Sequence, residues 1–107
     1  MRSAPSAPAE VVSVGADRIA VRGALTFATA RLASTTGLRA IGACAARRLE
    51  VDLAAVNAAD SAGLAVCLVW LASAQRDGRE LRFSNLPAHI RSLARISEID
   101  SLIEHGT

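Results

Sequence analysis

A strand, a loop and a helix in the middle of the chain constrain the fold more than any other part of the sequence. Leu49, Val51 and Leu53 alternate with charged residues, which is the period of a strand with one buried face. Asp60 and the serine after it both favour the N-cap of a helix, and Gly78 is typical of a position just beyond a helix end. The sequence therefore predicts a buried strand, a short loop and a helix of about four turns.

The predicted helix is apolar on two faces, whereas a surface helix of a small domain usually has one apolar face. The stripe predicted to face the core consists of Leu64, Cys67, Leu68 and Leu71. The second face carries Ala62, Val66, Val69, Trp70 and Ser73. Either the rest of the domain or a partner protein covers this second face, and the tryptophan at its centre favours a partner. We therefore expect Val66, Val69 and Trp70 to be more exposed than the leucines of the core stripe.

The segments before this unit predict a hairpin and a helix. Residues 11–14 and 18–22 are short apolar or alternating runs on either side of a tight turn. Thr26 is the candidate cap of a helix that ends at Gly37, and residues 38–46 are assigned a second helical turn. The apolar positions of the first helix are Phe27, Ala30 and Ala33.

The segments after it predict one more strand and one more helix. Residues 80–84 alternate, with Leu81 and Phe83 pointing inward. Pro87 suits the first turn of a last helix, and residues 97–103 close the chain with an apolar segment. The buried stripe of that helix is Ile90, Leu93 and Ala94.

This order of elements predicts an α/β fold in one domain. A strand, a helix and a second strand in succession form a right-handed parallel crossover. The expected architecture is a small mixed sheet of four or five strands with helices packed chiefly on one face. Residues 10–107 form this domain, and residues 1–9, rich in Ala, Ser and Pro, are predicted to be a flexible tail.

Composition argues against several classes of partner. The formal charge is only +2 in 107 residues and the chain has no Tyr, so neither nucleic acid nor an acidic membrane is indicated. The apolar run from Leu64 to Ala72 is far shorter than the roughly 20 residues of a membrane span. The N-terminal residues lack the hydrophobic segment of a signal peptide, so we expect a cytoplasmic protein.

The sequence offers few groups for catalysis. Ser61 does not lie in a Gly-x-Ser-x-Gly nucleophile motif, and a Gly-rich phosphate loop is absent. His89 and His105 are both expected to face solvent. Cys44 and Cys67 lack clustered histidines and so do not predict a metal site. We predict a protein that is not an enzyme and has no cofactor, no metal and no small-molecule substrate.

Ser61 allows two interpretations. It could simply cap the helix. Alternatively, it could present its hydroxyl at the helix N-terminus, where free N–H groups would stabilise an added phosphate. The residue types alone favour neither.

The loop and its surroundings resemble the STAS domain, the fold of anti-sigma-factor antagonists, over about residues 10–104. The resemblance rests on Val51-Asp52-Leu53, on Asp60-Ser61-Ala62-Gly63-Leu64, on Gly78 and on Leu86-Pro87. It implies that Ser61 matches the position that a partner kinase phosphorylates in the antagonists. It also implies the alternative function of this chain, an antagonist switched by phosphorylation of Ser61.

Within that family the chain is more similar to the MlaB-like branch. The residues concerned are Gly23 to Thr29, Leu64-Ala65, Trp70-Leu71, Leu93 to Ile96, Ile99-Asp100 and Leu102-Ile103. This resemblance implies a subunit that supports the MlaF-like ATPase of an ABC transporter maintaining outer-membrane lipid asymmetry, on the cytoplasmic side of the inner membrane. The expected ATPase-binding residues are Asp60, Ser61, Ala62, Gly63, Val66, Val69 and Trp70. Gly23-Ala24-Leu25-Thr26 replaces the Gly-Glu-Leu-Asp that is usual in antagonists, which favours the transporter subunit.

Overall fold

The computed structural model describes residues 9–97, 99, 102 and 103. Four strands and three helices follow one another in the predicted order. They are β1 (Glu10–Ser13), β2 (Arg18–Leu25), α1 (Ala30–Ala43), β3 (Arg48–Ala59), α2 (Ser61–Arg76), β4 (Glu80–Ser84) and α3 (Ala88–Ile96).

The strands form one mixed sheet in the order β1-β2-β3-β4. β1 and β2 are antiparallel, as a hairpin requires, and β3 is parallel to both β2 and β4. Because β2, β3 and β4 are parallel, α1 and α2 are the crossover helices that return the chain between them. The predicted α/β fold with a four-stranded mixed sheet is confirmed.

One face of the sheet is buried under the helices and the other is polar. The buried face carries Ile19, Val21, Leu49, Val51, Leu53, Leu81 and Phe83. Together with apolar residues of the three helices, these side chains form one core cluster. On the opposite face, cross-strand neighbours Arg18, Glu50 and Arg82 are exposed or half-buried. The prediction that the helices lie chiefly on one face is confirmed.

Helix α1 begins later and ends later than the sequence indicates. Thr29, not Thr26, is the residue before its first turn, and the helix continues through Gly37 to Ala43. A Cβ at Gly37 would be in hard contact with the indole ring of Trp70. Gly37 is therefore a close-packing position and not a helix end. Of the predicted separate turn in residues 38–46, residues 38–43 are the second half of α1 and residues 44–46 follow it.

The expected exposure of the second face of α2 is wrong for two residues. Trp70 is 1% exposed and Val66 is 4% exposed. α1 packs against α2, and the Trp70 indole N–H donates to the carbonyl oxygen of Ser34 at 3.2 Å. The domain itself therefore covers this part of the face. The exposure predicted for Val69 is confirmed, at 43%.

Three other boundaries differ from the expected ones. β3 continues to Ala59 instead of ending near Leu53, and its second half is largely exposed. Ala9, assigned to the N-terminal tail, is buried in the core cluster. Pro87 is the residue before α3 and not part of its first turn. Residues 1–8 of the predicted tail and His105 lie outside the described residues.

Candidate partner-binding site

The loop singled out by the sequence lies at the carboxyl end of β3. Asp60 separates the last residue of β3 from Ser61, the first residue of α2. The turn from Thr26 to Thr29 follows the neighbouring parallel strand β2, so both connections lie at the same end of the sheet. This is the end at which ligands and partners of α/β sheets commonly bind.

Asp60 joins these two connections. Its Oδ1 accepts hydrogen bonds from the N–H groups of Ala62 at 2.9 Å and Gly63 at 3.2 Å, which makes it the N-cap of α2. Its Oδ2 accepts a bond from the N–H of Phe27 at 3.0 Å. The bond from Phe27 is the main cause of a lowered pKa of Asp60, to which the other two N–H groups and the charge of His89 add. The carboxylate is therefore ionised at neutral pH.

Ser61 is not the cap of α2, because Asp60 fills that role. Ser61 occupies the first helical position and is exposed. The structure therefore excludes the interpretation of Ser61 as the helix cap. The interpretation that remains is an accessible hydroxyl at a helix N-terminus.

Gly63 allows α2 to begin directly against β2. A Cβ at this position would collide with the carbonyl oxygen of Leu25. Any side chain here would push the first turn of α2 away from the sheet and from the turn after β2. The glycine of the loop is therefore required by packing, and it is buried.

The turn after β2 is held by Thr29. Its hydroxyl donates to the carbonyl oxygen of Ala24 at 2.6 Å and accepts from the N–H of Thr26 at 3.0 Å. The N–H of Thr29 also donates to the carbonyl oxygen of Thr26 at 3.0 Å. Phe27 lies in this turn, before the helix begins, and its side chain is 85% exposed. Sequence periodicity had placed Phe27 on the apolar stripe of the helix.

The family of the chain follows from a comparison of its sequence with protein-family models. A model described as the MlaB STAS domain matches residues 10–104. The chain belongs to the MlaB-type STAS family. No curated protein sequence matches it.

Solved structures confirm the STAS fold. The unphosphorylated anti-sigma factor antagonist SpoIIAA has a TM-score of 0.68 and 14% identity, over 89% of this chain and 84% of that one. A putative anti-sigma factor antagonist from Thermotoga maritima has a TM-score of 0.63 and 16% identity, over 91% of this chain and 82% of that one. At these identities the likeness concerns the fold.

Among the described residues of this STAS domain, five large apolar side chains are exposed. Three of them lie on the turn after β2 (Phe27), on α1 (Leu32) and on α2 (Val69), and α1 packs against α2. We call these three residues and the exposed Ser61 the loop–helix surface. Of the residues predicted to bind a partner, Ser61 and Val69 belong to this surface, and Asp60 and Ala62 border it half-buried. Gly63, Val66 and Trp70 are buried and offer no contact area.

The open face of the sheet of the STAS domain contains a second candidate, a recess of about 390 Å³. Six of its seven lining residues are charged: Asp17, Arg18, Arg48, Glu50, Glu80 and Arg82, with Leu49 the exception. Ion pairs join Arg18 to Glu50 at 3.4 Å and Arg48 to Glu80 at 3.0 Å. Most charges of the recess thus already have partners within the sheet.

Other chemical groups of the described region add no site. In the residues that the structure describes, no group of three or more His, Cys, Asp or Glu could hold a metal ion. No helix in this region has both the length and the apolar character needed to span a membrane. Burial raises the pKa of the Cys67 thiol to about 12, so it stays protonated and is not a nucleophile.

Proposed function

We propose that this chain is a non-catalytic subunit that binds and supports the ATPase of a phospholipid-transporting ABC complex. The observation that carries the proposal is the match to the MlaB STAS family over residues 10–104. In such a complex the chain would lie on the cytoplasmic side of the inner membrane, attached through the ATPase, and would help to maintain outer-membrane lipid asymmetry.

The loop–helix surface supports a role in protein binding. Phe27, Leu32 and Val69 are 85%, 57% and 43% exposed. Phe27 lies in the turn that leads into α1, and α1, which carries Leu32, packs against α2, which carries Val69. An aromatic and two aliphatic side chains of this kind are typical of the centre of an interface, where burial of apolar area supplies most of the binding free energy.

The proposal can be tested with one pair of valines. Val69→Asp would place a charge in the loop–helix surface, whereas Val14→Asp makes the same change at a valine after β1 that is similarly exposed, at 49%. We expect Val69→Asp to weaken binding to the purified ATPase subunit by at least about tenfold, because the interface would have to desolvate the charge. Val14→Asp should bind like the wild type.

ATPase activity of the reconstituted pair is the second measurement. Wild type and Val14→Asp should raise or sustain ATP hydrolysis, and Val69→Asp should do so only at higher concentration. Circular dichroism controls for folding. Failure of the wild-type chain to bind the ATPase would refute the proposed function.

A second candidate function is an antagonist of an anti-sigma factor. The exposed Ser61 hydroxyl at the N-terminus of α2 favours it, since a kinase could reach it and the positive end of the helix dipole would stabilise a phosphate there. For the transporter subunit we expect an unmodified mass of the protein from its native cells, weaker ATPase binding for Ser61→Ala and still weaker binding for Ser61→Glu. A phosphorylated mass, with Ser61→Ala binding a kinase more tightly, would support the antagonist instead. Because Asp60 is the cap, Ser61→Ala should cost little stability in either case.

A further inference from the structure

The most exposed large apolar side chain of the described region is Phe27, at 85%. We propose that Phe27 is the anchor residue of the partner contact, inserting its ring into an apolar pocket of the ATPase subunit, and that Asp60 is the positioning residue that holds it there. The inference rests on the proposed function for the identity of the partner.

The backbone of Phe27 is held in place although its side chain is free. Its N–H donates to Asp60 Oδ2 at 3.0 Å, across 33 residues of sequence. On the other side of the turn, the Thr29 hydroxyl accepts from Thr26 N–H and donates to the Ala24 carbonyl oxygen. These bonds order the backbone of the turn, so the position from which the phenyl ring projects is set before binding. The contact therefore avoids the cost of ordering this loop, which favours Phe27 as an interface anchor.

The surroundings of Phe27 allow another protein to approach closely. The ring is 85% exposed, and the residues that follow Phe27 and Asp60 in the chain, Ala28 and Ser61, are small and exposed. A partner can therefore reach most of the surface of the phenyl group.

Two other occupants fit less well. The recess on the open sheet face would not receive the ring of a second copy, because six charged residues line it. A lipid surface fits less well, since membrane binding through one exposed ring needs basic side chains beside it, and the chain has a formal charge of only +2 in 107 residues. A protein pocket with an apolar floor and a polar rim fits both the ring and the carboxylate.

The two functions of Asp60 can be separated by one substitution. In Asp60→Asn the side-chain oxygen can still accept from Ala62 and Gly63, and Asn is as good an N-cap as Asp. The amide nitrogen that replaces Oδ2 cannot accept the bond from Phe27 N–H. The variant thus keeps the helix cap and loses the bond to the turn.

The test measures affinity for the purified ATPase subunit. We expect Phe27→Ala to weaken binding about 30-fold, the size of an interface hot spot, and Asp60→Asn about fivefold. Ile96→Ala is the matched control for Phe27, since Ile96 is 79% exposed at the end of α3. Asp77→Asn is the matched control for the change of charge, because Asp77 is an exposed residue at the far end of α2. Both controls should bind like the wild type.

Two readouts distinguish positioning from a structural role. If Asp60 acts through Phe27, Asp60→Asn should have no further effect on binding in the Phe27→Ala background. In the isolated chain, Asp60→Asn should also accelerate hydrogen exchange at the Phe27 amide while α2 stays protected.

The outcomes separate this inference from the proposed function. If Val69→Asp weakens binding to the ATPase subunit but Phe27→Ala does not, Phe27 is not the anchor residue. The proposed function would then remain intact. The wild-type chain could instead dimerise or float with phospholipid vesicles, and Phe27→Ala could abolish that behaviour. Either result would overturn the assignment of the ATPase subunit as the partner that receives the ring. No binding by the wild type would overturn the proposed function itself, and with it the partner named here.

Discussion

Among single residues, the two glycines of α1 differ in what surrounds them. Gly37 faces the Trp70 ring with no room for a Cβ, whereas a Cβ at Gly42 would meet nothing within 4 Å. We expect Gly37→Ala to lower the free energy of unfolding by about 1–3 kcal/mol through overpacking. Gly42→Ala should raise it by up to about 1 kcal/mol, because Ala favours the helix. Urea denaturation of both variants is the measurement, and equal stabilities would contradict the packing of Trp70 on α1.

Asp52 on the open face of the sheet makes the stability of the fold sensitive to acid. Its carboxylate accepts hydrogen bonds from Asn85, Arg18 and the N–H of Ala54, and these lower its pKa from 3.8 to about 2. A group with a lowered pKa stabilises the fold fully above its unfolded value and loses this contribution as the pH falls through its folded value. The melting temperature of the wild type should therefore fall more steeply between pH 4 and 2 than that of Asp52→Asn. Equal slopes for the two proteins would contradict this role of Asp52.

At the level of whole elements, the end of α1 depends on one arginine. The Arg79 guanidinium donates to the carbonyl oxygens of Ile41 at 2.7 Å, Cys44 at 2.6 Å and Ala46 at 2.7 Å. The Ile41 carbonyl oxygen also accepts from the N–H of Cys44 at 3.2 Å, and the arginine adds donors for the carbonyl groups where the helix stops. We expect Arg79→Met to lower the free energy of unfolding by about 1–3 kcal/mol, because partly buried acceptors lose their donors. Arg47→Met, at an exposed arginine in the same connection, should change stability far less, as thermal unfolding of the two would show.

The elements that the sequence predicted well are those whose signal is local. β4, the end of α2 and the buried half of β3 follow from strict alternation and from Gly78 after the last helical turn. Gly37 and Trp70 were misplaced because their environment is set by each other, across two helices. Periodicity identified a second apolar face on α2, but it could not identify α1 as the element that covers Val66 and Trp70.

For the molecule as a whole, one core joins the sheet to all three helices. The core cluster includes Trp70, which is the single tryptophan of the chain. Its fluorescence should therefore report the same unfolding event as far-ultraviolet circular dichroism, with coincident midpoints in urea. Separate transitions would mean that α1 and α2 detach from the sheet before it unfolds.

In the candidate site too, the sequence predicted what depends on neighbouring residues and missed a contact between distant ones. Asp60 as a helix cap follows from residue type and position, and the structure bears this out. The bond from Phe27 to Asp60 spans 33 residues and depends on the parallel pairing of β2 and β3. A single sequence contains no signal for that contact, so the exposed ring of Phe27 was assigned to a helix face instead.

The parallel strands also give the molecule an overall polarity. β2, β3 and β4 run in one direction, and α1, α2 and α3 all begin where these strands end. Each helix contributes a partial charge of roughly +0.5 at its start, so three partial positive charges lie at the end that carries Phe27 and Ser61. The ionised Asp60 offsets part of them. In the field of an acidic partner the domain would turn this end forward before contact, so its association rate should fall as the ionic strength rises, while the dissociation rate changes much less.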